Sequence, residues 1–106
     1  VDHAKQRITI IISRPDPDTV VLTVAGDLDH GTVPAFDQQV SAALHEQSAS
    51  VVRLDLAAVQ FCDLAGLRAL HALGAPVRIV AAHPQLDTLL RLCRISVLLG
   101  YRPPPE

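Results

Sequence analysis

The chain has 106 residues and a formal net charge of -2, with 49% hydrophobic and 19% charged residues. That length suits one domain with a single core that needs no disulfide or metal. Two Phe, one Tyr and no Trp leave that core to Leu, Val, Ile and Ala, while the lack of a basic field and of stacking aromatics excludes nucleic acid as an expected partner.

No apolar run approaches the roughly 18 residues that span a bilayer, and the start of the chain lacks the basic-then-apolar pattern of a secretory signal. A cytoplasmic location without membrane insertion is therefore the default expectation. The chain opens on Val1 rather than methionine, which suggests a trimmed or partial sequence.

Residues Arg7 to Ile12 read as a strand, and Asp16-Pro17-Asp18 supplies turn chemistry before a second strand over Val20 to Ala25, so the first two strands form a hairpin. A polar, glycine-bounded loop follows from Gly26 to Gly31. Thr32 is placed to cap a helix with Pro34 in its first turn, and Val33, Phe36, Val40, Ala43 and Leu44 give that helix an apolar stripe to about Gln47. Val51 to Leu56 predicts the third strand, with Val52, Leu54 and Leu56 on one face. Leu64, Leu67, Leu70 and Leu73 mark a second helix ended by Gly74 and Pro76.

Val77 to Ala81 predicts a fourth strand, and Pro84 opens a third helix whose apolar face is Leu86, Leu89, Leu90 and Cys93. Val97 to Leu99 forms either a final short strand or the last turn of a helix. Residues 1–101 make the domain, and 102–106, rich in proline, an unstructured tail. The order strand, strand, helix, strand, helix, strand, helix implies a mixed sheet of four to five strands, because only the first pair can be a hairpin and the later strands need helical crossovers.

The run Phe61-Cys62-Asp63-Leu64-Ala65-Gly66-Leu67, read after the strand that precedes it, resembles the signature of the STAS domain, the module of bacterial anti-sigma-factor antagonists, which reads roughly Asp-Ser-Ser-Gly-Leu. Gly26-Asp27-Leu28-Asp29 matches the Gly-Glu-Leu-Asp common before the family's first helix, and the resemblance spans about Arg7 to Gly100. It implies an α/β fold with helices mainly on one side of the sheet. It also implies a partner surface made of Asp27, Asp29, His30 and Thr32 together with Asp63, Leu64, Ala65, Gly66 and Arg68.

The family's regulatory phosphate goes on the first serine of the signature, where this chain has Leu64, which has no hydroxyl to accept it. The resemblance thus implies a non-catalytic, constitutive antagonist that binds an anti-sigma factor of the serine-kinase type and releases a sigma factor. Its alternative is a STAS subunit that stabilises the ATPase of a lipid-transport ABC system, although family members in that role usually have Thr where Leu64 stands. The STAS ends of anion transporters are disfavoured, since no membrane span is present.

Read from the residues alone, Asp63 is a helix N-cap, and Leu64 is either a buried staple or an exposed apolar contact. Asp27 and Asp29 offer too few oxygens for a metal and belong to a solvated loop. Asp55 anchors a turn or a backbone amide. Cys62 and Cys93 are expected as buried small hydrophobes, and a regulatory disulfide between them would make a third, redox-sensing reading. His3, His30, His45, His71 and His83 have no zinc spacing, and no nucleophile elbow accompanies either cysteine, so no metal, no cofactor and no catalytic residue is expected.

Overall fold

The computed structural model describes residues 7–46 and 48–105. Strand β1 (Ile8–Asp16) and strand β2 (Thr19–Leu28) pair antiparallel, and helix α1 (Val33–Glu46) leads to β3 (Val51–Cys62). Helix α2 (Leu64–His71), strand β4 (Val77–Ala82) and helix α3 (Pro84–Leu92) complete the order. The sheet runs β1-β2-β3-β4, with β2, β3 and β4 mutually parallel. This is the single α/β domain with a mixed sheet that the pattern of elements predicts, and its strand count is four.

One face of the sheet is apolar and covered. Val20, Leu22 and Val24 of β2, Val52, Leu54 and Leu56 of β3, and Val77 and Ile79 of β4 are buried in one cluster with Phe36, Val40 and Ala43 of α1, Leu67 and Leu70 of α2, and Leu86 and Leu90 of α3. Alternate residues on the strands, such as Arg53, Arg78 and Val80, face outward. The period of two in each strand and of 3.6 in each helix thus meet in one layer between sheet and helices.

The turn chemistry expected at Asp16-Pro17-Asp18 is present: the Asp16 carboxylate accepts from the Asp18 amide at 2.9 Å. Both β2 and β3 run further than their sequence pattern predicts, β2 through Leu28 and β3 through Cys62. Alternation fails in the second half of β3 because the register slips against β2 twice, from Thr23 opposite Asp55 to Ala25 opposite Ala58, and again from Gly26 opposite Val59 to Asp27 opposite Phe61. Each slip adds a residue to β3, so every third residue, Leu56, Val59 and Cys62, turns inward. Asp55 anchors the first slip by accepting the Ala57 amide at 2.9 Å, the backbone role its position suggests.

Three other expectations are corrected. Helix α2 stops at His71, and Leu73 lies in the turn beyond it, partly buried against the core. The stretch around Val97 to Leu99 is neither strand nor helix but a turn bridged between Leu98 and Tyr101. It docks on the edge of β4 through the Ile79 amide, which donates to the Leu99 carbonyl at 3.0 Å. The C-terminal segment has no regular secondary structure, yet Arg91 donates to the Pro104 carbonyl at 2.8 Å and holds it against α3. The expected end of the first helix at Gln47 lies outside the described residues. Among those described, no helix is long and apolar enough to cross a membrane.

Candidate functional site

The ends of β2 and β3, where the chain turns into α1 and α2, carry the residues singled out above. Gly26 opens this region with φ of 109°, a left-handed conformation that puts the Arg7 carbonyl where a side chain would stand. The Asp27 amide then donates to that carbonyl at 2.9 Å, which ties the start of β1 to the end of β2.

Arg7 in turn grips the loop. Its guanidinium forms a two-point pair with Asp29, at 2.8 and 3.2 Å, and lies 3.7 Å from Asp27. The same Asp29 carboxylate accepts the amides of Gly31 at 2.9 Å and Thr32 at 3.1 Å. Burial by itself would raise the Asp29 pKa, but Arg7 and those amides outweigh it and hold the group below the usual 3.8. Asp29 is therefore the organiser of the loop. Thr32 stands just before α1, but its hydroxyl does not cap the helix amides as expected; it accepts from the Asp29 amide at 2.9 Å and donates to the Asp27 carbonyl at 2.8 Å.

Asp63 is the N-cap of α2, as its place in the sequence implies. One carboxylate oxygen accepts the Gly66 amide at 2.9 Å, and the other accepts the His30 amide at 3.1 Å. A single side chain thus joins the two loops of the surface. The Asp63 amide donates to the Leu28 carbonyl at 3.2 Å, and Gly66 packs so closely on β2 that a Cβ there would overlap that carbonyl and approach Cys62 Sγ at 2.9 Å. The signature glycine exists because α2 must start against the end of β2.

With the cap fixed, the next side chain is directed outward. Leu64 is 54% exposed, so it is not the buried staple of its two readings. Phe61, opposite Asp27 in the sheet register, is 45% exposed, and Arg68 on α2 also faces solvent. Phe61 escaped the sequence reading because the bulges in β3 that turn it outward leave no local trace. Thr32 and Gly66, expected to touch a partner, are buried and serve to position the surface, while Ala65 is half-buried.

Both cysteines are free thiols, one buried and one exposed. Cys62 is buried, and that burial, together with the nearby Asp63 charge, pushes its thiol up to about 12, far from a reactive thiolate. Cys93, expected inside the apolar face of the third helix, is exposed at the C-cap of α3. The Cys62 backbone is clamped at 2.8 and 3.1 Å by the side-chain amide of Gln85, at the other end of α3. Cys93 lies eight residues further along the chain, about 12 Å of helix rise from Gln85. Gln85 is a positioning residue the sequence did not reveal, whereas Pro84 opens α3 as predicted, with His83 Nδ1 accepting the Gln85 amide at 3.0 Å.

A four-stranded mixed sheet with its helices packed on one face, and a capped helix start beside a polar loop at the strand ends, defines a small α/β domain. Residues 13–100 match the family model described as Mlab, STAS domain, and the chain belongs to the STAS-domain family. An anti-sigma factor antagonist from Mycobacterium paratuberculosis is similar at 29% identity and a TM-score of 0.72, over 88% of this chain and 83% of that one. The anti-sigma factor antagonist SpoIIAA in its unphosphorylated form shares the fold at 18% identity and a TM-score of 0.55, with 82% of each chain covered. The murine anion transporter Slc26a9 contains the same fold at 19% identity and a TM-score of 0.63, the match covering 83% of this chain and 18% of the transporter.

Proposed function

We propose that this chain is a non-catalytic binding module of the anti-sigma-factor-antagonist type, which engages an anti-sigma factor of the serine-kinase class and thereby frees a sigma factor. The observation that carries the reading is Asp63, whose carboxylate joins the Asp27–Thr32 loop to the start of α2 and leaves Leu64 outward at the position of the family's phosphoacceptor. Contact is made by Asp27, His30, Phe61, Leu64 and Arg68. Because Leu64 accepts no phosphate, the kinase cannot dismiss this antagonist by adding a charge of about -1.5 to -2.

The exposed Phe61 and Leu64 also favour a second reading in which the contact is permanent, as for a subunit bound to a transporter ATPase. Affinity capture from the host lysate under reducing conditions with ATP and magnesium, read by mass spectrometry, separates the two. Recovery of an anti-sigma kinase with the bait unmodified supports antagonism, and recovery of a transporter ATPase supports the subunit. Leu64→Glu, which installs a charge at the same place, abolishes capture in either case. A partner retained by that variant would show that the surface is wrongly assigned.

A further inference from the structure

At the far end of α3 from the Cys62–Gln85 clamp, Arg91, Arg94 and Arg102 converge on one groove of about 480 Å³, with Ser96 in its lining and Pro103 to Pro105 along a wall. Three of the nine Lys and Arg residues of the chain are gathered there although the net charge is -2. No carboxylate is among the described residues that line it.

Basic residues often complement the negative end of a helix dipole. That accounts for Arg91, in the last turn, which also holds Pro104. It does not account for Arg94 or Arg102. Arg94 has φ of 59° and is the left-handed residue of a helix-ending motif in which its amide donates to the Arg91 carbonyl at 3.0 Å and the Ile95 amide to the Leu90 carbonyl at 2.9 Å. Glycine is the usual occupant of that position, since any side chain there is strained. A strained arginine aimed into a groove follows the pattern of backbone strain kept for function. Arg102 reaches the groove because the preceding residue is anchored on α3: the Tyr101 hydroxyl donates to the buried Asp87 carboxylate at 2.6 Å.

We propose that this groove binds a phosphate oxyanion, carried either by a small molecule in solution or by the headgroup of an anionic lipid. Guanidinium forks pair phosphate oxygens two at a time, and because the Pro104 carbonyl takes a donor of Arg91, Arg94 and Arg102 supply the contacts. The site stands apart from the partner surface and does not depend on the proposed function.

The test uses the full chain and inorganic pyrophosphate, followed by amide NMR shifts and calorimetry, with a parallel arm of phosphatidylcholine vesicles with and without phosphatidic acid in a sedimentation assay. Shifts confined to residues 91–105, or sedimentation only with phosphatidic acid, support the site and identify the source. The variant Arg94→Gly with Arg102→Gln keeps the helix-ending turn and weakens binding at least about tenfold, as loss of two charge-assisted contacts requires. The control Arg14→Gln with Arg53→Gln, exposed on β1 and β3 and absent from the groove, leaves binding unchanged. No response to either probe, an unaffected double variant, or an equal loss in the control overturns the proposal.

Discussion

Replacing Asp63 with alanine removes two hydrogen bonds at once, and their separate contributions can be worked out. The cap to the Gly66 amide is part of a helix N-terminus and contributes about 1 kcal/mol. The bond to the His30 amide joins a charged acceptor to an exposed loop, so about 1 kcal/mol is again a fair figure. Their sum, about 2 kcal/mol, lowers the melting temperature by roughly 8 °C in a domain of this size. Asparagine divides the effect, because it keeps one oxygen and can satisfy only one of the two amides; Asp63→Asn should lose about 1 kcal/mol. Thermal and urea unfolding of the wild type and both variants, with the His30 and Gly66 amides followed by NMR, measures the two terms. If alanine changes stability by less than about 0.5 kcal/mol, or asparagine is as damaging as alanine, the account of Asp63 as a double clamp is wrong.

Gly66→Ala forces a Cβ into the Leu28 carbonyl and Cys62 Sγ, a clash that overpacking data place at about 1 to 3 kcal/mol; urea titration should show that loss together with a shifted His30 amide. An alkylating reagent at pH 8 should add one mass increment to the native chain, on exposed Cys93, and two to the unfolded chain, because the Cys62 thiol is buried with its pKa near 12. The same shift favours the folded state while the thiol is protonated, so this contribution is present below pH 9.0 and is lost as pH rises from there towards 12; the slope should flatten in Cys62→Ala. For Asp29 the sign is opposite. Its lowered pKa stabilises the fold above 3.8, and that contribution disappears as pH falls through the folded value, so melting curves of Arg7→Gln and wild type should converge under acid and separate near neutrality.

Local chemistry sufficed to read the seven elements, because each rests on a periodicity or a cap contained within a few residues. The hairpin turn at Asp16-Pro17-Asp18, the acid before α2 and the proline opening α3 act on their own neighbours, so the sequence alone determined them. The missing hydroxyl at Leu64 was equally plain, since it needs only the identity of one residue.

The tertiary structure decided what depends on residues far apart in the chain. Arg7 meets Asp29 across 22 positions, Asp63 meets the His30 amide across 33, and Gln85 clamps Cys62 across 23. The pleat of β3 slips because β2 beside it dictates the register, and that slip, not any pattern within β3, brings Cys62 inside and Phe61 outside. Cys93 fits the apolar spacing of a helix that ends one residue too soon, and so it faces water. A linear pattern states which side chains prefer burial, whereas the packed neighbours determine which of them obtain it.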